Sequence, residues 1–130
     1  MKCFDSTFVV DYLSGEPSTI EYLEARSTEA LYLPAIVVYE AFEGGVKSAG
    51  PAGLRETPGN LAWADIAPFG EATALEAGRL QDELAAEGRE LGSADAMIGG
   101  TARELGAPLI TRDTDFTNAE ADGVLDIETY

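Results

Sequence analysis

Lys2-Cys3-Phe4-Asp5-Ser6-Thr7-Phe8-Val9-Val10-Asp11-Tyr12-Leu13 decides how the rest of the chain is read. Lys2 to Asp5 reads as a short buried strand that stops on a carboxylate, and Thr7 to Leu13 follows at once as an apolar helix. Outward from this stretch the alternation continues. Pro17 suits the first position of a second helix, reaching about Ala25, with Ile20, Leu23 and Tyr22 on or near one face. Leu31-Tyr32-Leu33 is a strand closed by Pro34, and Ile36 to Phe42 reads as helical. Gly44-Gly45 through Gly59, with Gly50-Pro51, Gly53 and Pro58-Gly59, reads as a loop with at most one helical turn, a tip or lid. Asp65-Ile66-Ala67 is a third strand. Glu71 to Glu87 is the clearest helix, its stripe formed by Ala74, Ala77, Leu80 and Leu84 and its end capped by Gly88. Ser93 can N-cap a further helix that turns Met97, Ile98, Thr101, Ala102 and Leu105 inward and stops at Gly106. Leu109-Ile110-Thr111 and Val124 to Ile127 complete the strands. Strands and helices alternating at this spacing argue an α/β fold with a short, mainly parallel central sheet flanked by helices, residues 1–130 forming one domain.

Composition removes several chemistries. There is no histidine, so no Ser-His-Asp triad, Cys-His dyad or histidine-bound zinc can be built. The single cysteine, Cys3, cannot form an internal disulfide, which fits a reducing cytoplasm. No apolar run approaches the ~20 residues that span a bilayer, and Asp5 comes too early for a signal peptide. The charge is the unusual feature: 24 acidic residues against 8 basic ones give a net of −16. Such a surface repels nucleic acid at long range in dilute salt. Lysine is confined to Lys2 and Lys47, and this balance resembles proteins of salt-loving cytoplasms, where surface carboxylates hold hydration. At molar salt the Debye length is ~3 Å, and net charge then says little about partners.

Ligands of open parallel sheets bind outside the carboxyl ends of the strands. Asp5 ends the first strand, Glu40 lies on the helix after the second, and Asp113 and Asp115 follow the strand Leu109-Thr111. Asp95 sits in the first turn of the helix feeding that strand. Carboxylates brought together there would repel one another, and a divalent cation removes the conflict. An all-oxygen cluster suits Mg²⁺ or Mn²⁺ rather than zinc. Each acid also has a bland reading. Most acids in so acidic a chain are solvated surface groups, Asp95 suits a helix dipole, and Asp113 and Asp115 suit a turn. Asp5 and Glu40 are harder to dismiss, because their neighbours are nearly all apolar and a carboxylate held there needs a partner. Asp11, one turn beyond, reads as a surface or capping residue.

Four blocks in order carry a resemblance: Phe4-Asp5-Ser6-Thr7 with the apolar run to Leu13; Leu33-Pro34-Ala35-Ile36-Val37-Val38-Tyr39-Glu40; Leu91-Gly92-Ser93-Ala94-Asp95-Ala96-Met97-Ile98-Gly99-Gly100-Thr101-Ala102; and Leu109-Ile110-Thr111-Arg112-Asp113-Thr114-Asp115-Phe116. The sequence resembles PIN-domain ribonucleases, and within them the VapC toxins of toxin–antitoxin pairs. The resemblance implies a PIN-like fold and metal-dependent hydrolysis of RNA. It places the acidic residues at Asp5, Glu40, Asp95 and Asp113, with Asp115 as an accessory metal ligand to Mg²⁺ or Mn²⁺. Ser6 and Thr111 become the hydroxyls that hold carboxylates or metal-bound waters. A cognate antitoxin and a homodimer are implied as partners. Two departures stand out. Gly99-Gly100 replaces the usual small alanines, which suggests close helix packing, and basic residues are few. Arg112 and Arg89, with Arg55 and Lys47, are the candidates to touch a phosphate backbone. The rival reading is a catalytically silent interaction domain whose acids serve solubility, and convergence of the four acids in space discriminates the two. A phosphoacceptor receiver domain is set aside, since the chain lacks its acidic pair and its lysine.

Overall fold

The computed structural model describes residues 1–121 and 123–130, except for the side chains of Asn118, Glu120 and Ala121. Five strands, β1 (Lys2–Phe4), β2 (Leu31–Pro34), β3 (Asp65–Ala67), β4 (Leu109–Ile110) and β5 (Ile127–Glu128), form one sheet in the order β3-β2-β1-β4-β5. Every neighbouring pair is parallel. Among the described residues seven helices flank it: α1 (Ser6–Leu13), α2 (Pro17–Glu24), α3 (Ala35–Ala49), α4 (Pro51–Asn60), α5 (Glu71–Ala85), α6 (Ser93–Leu105) and α7 (Thr114–Ala121). The chain belongs to the α/β class, with a sheet wholly parallel rather than mainly so. Chain order reverses between β1 and β4, and the crevice outside the carboxyl ends of those two strands is where such sheets bind ligands. Asp5 follows β1 directly, and Asp113 follows β4 after two residues.

Parallel strands buried on both faces must be apolar, and here Cys3, Phe4, Leu33, Leu109 and Ile110 are fully buried. An aromatic cluster holds α1 to the sheet. The Phe4 ring lies 4.5 Å from Phe8 and 5.1 Å from Trp63, centre to centre, and Phe8 lies 4.7 Å from Tyr130. Glu128, the last residue of β5, accepts hydrogen bonds from Lys2 Nζ (2.7 Å), Tyr22 Oη (2.6 Å) and Arg26 (3.3 Å), tying β1, α2 and β5 together.

The stretch read as a loop from Gly44 to Gly59 is instead a helical hairpin of α3 and α4. Its glycines serve proximity rather than mobility. A Cβ at Gly45 would lie 2.9 Å from Thr57 Oγ1 and 3.1 Å from the Gly53 carbonyl oxygen, and one at Gly53 would overlap the Gly45 backbone. The two helices therefore touch backbone to backbone, and Thr57 Oγ1 donates to the Gly53 carbonyl at 2.6 Å. Only Gly50, at φ +59°, turns the chain, and Pro51 opens α4. Gly100 plays the same part between α5 and α6, where an added Cβ would lie 2.6 Å from Ala77 N.

Smaller differences have local causes. Gly92, not Ser93, is the N-cap of α6, and no side chain caps that end. Thr19 and Tyr22 rather than Ile20 face the core from α2, and Thr73 rather than Ala74 does so from α5. The last strand starts at Ile127, three residues later than its apolar run begins. Helix α7, over a polar stretch with no apolar period, had no signal in the sequence.

Candidate metal centre

Asp5 is the N-cap of α1, and its burial follows from that position: it is 1% exposed, with Oδ1 accepting from the Phe8 amide at 3.1 Å. Its backbone N–H donates to the Ile110 carbonyl, which sets it beside β4. The Thr7 hydroxyl donates to Oδ1 at 2.7 Å, and the Thr111 hydroxyl makes a short hydrogen bond to Oδ2. Burial pushes the Asp5 carboxyl above its ordinary range and the Asp113 charge adds to this, while the three donated hydrogen bonds pull it back.

Asp95 lies in the first turn of α6. The Gln81 side chain fixes the chain just before it, donating to the Leu91 carbonyl at 2.6 Å and accepting from the Leu91 amide at 2.8 Å. Asp113 precedes α7 and accepts from the Asp115 amide at 2.9 Å, so the α7 terminus aims both carboxylates from one turn. Oxygens of Asp95, Asp113 and Asp115 all lie within 4.8 Å of one another. Glu40, in the second turn of α3, accepts from Ser6 Oγ at 2.9 Å. The Asp95 carboxyl is pushed up to about 6, first by burial and then by the charges of Asp113, Asp115, Glu40 and Asp5. Every acid singled out in the sequence thus contributes to one field. The N-termini of α1, α6 and α7 meet there too, and their partial positive charge offsets part of the repulsion.

A divalent cation is what such a donor set fits. Three carboxylate oxygens reach a common point, and the set is all oxygen. Cys3 offers no thiolate, since burial and then the Asp5 charge push its thiol up to about 12. Hard oxygen donors without sulfur or imidazole suit Mg²⁺ or Mn²⁺ rather than zinc.

Arg112 is turned elsewhere. Its Nε donates to the Tyr130 carbonyl at 2.8 Å, a terminal nitrogen donates to Ser18 Oγ at 3.2 Å, and the guanidinium lies 4.1 Å over the Tyr130 ring. Asp11 belongs to the same strap, accepting from Tyr130 Oη at 2.7 Å. Arg89 sits exposed in the turn between α5 and α6. A groove of about 480 Å³ runs beside Ser6 and Glu40 between α1 and the α3–α4 hairpin, with Glu43 and Glu56 in its lining. The residue that the sequence reading passed over is Thr7. Its position two after the N-cap aspartate, in an otherwise apolar helix, was the available signal.

A family profile for the PIN domain matches residues 2–121. The chain belongs to the PIN-domain family. This PIN domain is 25% identical over 111 residues to the tRNA(fMet)-specific endonuclease VapC of Shigella flexneri, covering 85% of this chain and 84% of that one. Its fold superposes on a toxin–antitoxin complex from Klebsiella pneumoniae with a TM-score of 0.74 at 26% identity, over 89% of this chain and 90% of that one. It also superposes on VapBC2 from Rickettsia felis, solved bound to a DNA fragment from their promoter, with a TM-score of 0.82 at 20% identity, over 99% and 98% of the two chains. Among the described residues no helix of this PIN domain is long and apolar enough to cross a membrane.

Proposed function

We propose that this PIN domain, residues 1–130 as one unit, is a metal-dependent endoribonuclease, the toxin of a VapBC-type pair. The observation that carries the reading is the convergence of Asp5, Glu40, Asp95, Asp113 and Asp115 at the switch point of a parallel sheet, where their charges act jointly on Asp95. The similarity to the Shigella endonuclease supports the same reaction class.

In this reading Asp95, Asp113 and Asp115 hold Mg²⁺ or Mn²⁺ together with Asp5 and Glu40. A metal bound in such a cluster lowers the pKa of water and stabilises the leaving oxygen of a phosphodiester. The protein's own part is to hold the carboxylates in place. Thr111 and Ser6 do so by donating to Asp5 and Glu40. With no histidine in the chain, no side chain acts as an imidazole base. Arg112 and Arg89 are the proposed contacts to the RNA backbone, and Arg112 would exchange Tyr130 and Ser18 for a phosphate. The antitoxin and a second copy of the chain are the proposed protein partners, and the exposed Tyr39, Val46 and Leu54 offer them apolar surface. The test is RNA cleavage with Mg²⁺, Mn²⁺ or EDTA, at low and at molar salt, for the wild type and Asp5→Asn. Metal-dependent cleavage lost in the variant is the expected result. No cleavage in any condition, with no Mn²⁺ bound, would leave a silent interaction domain.

A further inference from the structure

Thr7 Oγ1 does two things at once. It donates to Asp5 Oδ1 at 2.7 Å and accepts the backbone N–H of Arg112 at 3.3 Å. Thr111 repeats the arrangement on the other oxygen, donating to Asp5 Oδ2 and accepting the backbone N–H of Asp113 at 2.9 Å. The two hydroxyls stand 3.5 Å apart. Each threonine has one hydroxyl proton, and both protons are directed to the same carboxylate. Two consecutive amides of the segment after β4 are thereby linked, through two side chains, to the two oxygens of one aspartate at the end of β1.

Acceptor capacity then separates the oxygens. A carboxylate accepts about four hydrogen bonds, two on each oxygen. Oδ1 takes the Thr7 hydroxyl and the Phe8 amide and is filled, whereas Oδ2 takes the Thr111 hydroxyl and has one position left. We propose that Thr7 is a positioning residue. With Thr111 it clamps Asp5 and the Arg112–Asp113 backbone into one rigid unit, so that Asp5 presents Oδ2 alone to a divalent cation while Asp113 is held at a fixed distance. The cation in this statement rests on the metal-dependent reading above. The clamp itself is a property of the protein without metal.

A threonine that merely occupied the first turn of α1 would leave the segment after β4 unaffected when altered, and this separates the two roles. The full chain is prepared as wild type, Thr7→Val, Thr7→Ser and Asp5→Asn. Amide hydrogen exchange is followed in EDTA, Mn²⁺ affinity by calorimetry, and kcat and KM on RNA. Valine keeps the shape and removes the hydroxyl. Thr7→Val should speed exchange at Arg112 and Asp113, weaken Mn²⁺ binding by about 10-fold or more, as loss of a ligand's supporting hydrogen bond does, and lower kcat with KM unchanged. Thr7→Ser should return all of these towards wild type, which a packing defect would not. Unchanged exchange and unchanged Mn²⁺ affinity in Thr7→Val, while Asp5→Asn loses Mn²⁺, would overturn the clamp and leave the metal reading standing. A wild type that binds no Mn²⁺ would overturn the metal reading and with it the presenting role of Asp5.

Discussion

Replacing Asp95 by asparagine should make the metal-free protein more stable, because burial and four neighbouring acids oppose the ionised Asp95 carboxylate. Its carboxyl stands at about 6 against 3.8 for an unperturbed aspartate. Each unit is worth ~1.36 kcal/mol, so the ionised form is opposed by roughly 3 kcal/mol at most. Asp95 is partly open to solvent, and screening reduces that figure to about 1–1.5 kcal/mol. Asparagine gives up a favourable charge in the first turn of α6, worth about 0.5 kcal/mol. The net expectation is a gain of about 0.5–1 kcal/mol at pH 7.5 in EDTA and low salt, a rise of a few degrees in Tm. The pH dependence fixes the cause. A carboxyl whose pKa is raised by folding binds its proton more tightly in the folded state, so this group adds stability to the wild type as pH falls from about 6 towards 3.8. The asparagine variant lacks that increment, and the gap between the two should close over the same window. Saturating Mg²⁺ should reverse the order by stabilising only the wild type. Urea unfolding of both proteins at several pH values measures all of this. A variant less stable than wild type in EDTA at pH 7.5, or a gap indifferent to pH, would refute the electrostatic reading.

Gly100→Ala should cost about 1 kcal/mol in urea unfolding, overpacking less the gain in helix propensity. The new Cβ meets the Ala77 backbone at 2.6 Å, and the overpacking penalty of ~1–3 kcal/mol outweighs the ~1 kcal/mol that alanine adds to a helix. Gly99→Ala should be milder, since its Cβ meets side-chain atoms, nearest Leu80 Cδ2 at 2.6 Å, rather than backbone. Mn²⁺ affinity, followed by calorimetry, should fall as pH is lowered through 6, because the proton on Asp95 competes with the cation. Glu128→Gln weakens the hydrogen bonds from Lys2, Tyr22 and Arg26 and should cost about 1–3 kcal/mol by thermal unfolding.

The strands and the positions of the acids were legible in the sequence because both are local. Phe4, Leu33 and Ile110 sit in short apolar runs, and the carboxylates fall where those runs end. What the sequence concealed depends on partners distant along the chain. Gly45 and Gly53 look like loop residues until they are seen to meet each other across α3 and α4, where only glycine allows the backbones to touch. Gly99 and Gly100 escaped that misreading because Met97, Ile98 and Ala102 around them keep an apolar helical period. Thr7 went unnoticed because its partners lie at both ends of the chain, with Arg112 and Thr111 more than a hundred residues away. Helix α7 follows a turn set by Asp113 and carries few apolar residues, so nothing local announces it.

The most direct measurement is a crystal grown with Mn²⁺, with anomalous differences recorded at the manganese edge. An anomalous peak coordinated by Asp95 and Asp113, with Asp5, Glu40 or Asp115 completing the shell directly or through water, is the expected result. No peak among these carboxylates at saturating Mn²⁺, or manganese bound only elsewhere on the acidic surface, would contradict the claim that the five acids form a metal centre.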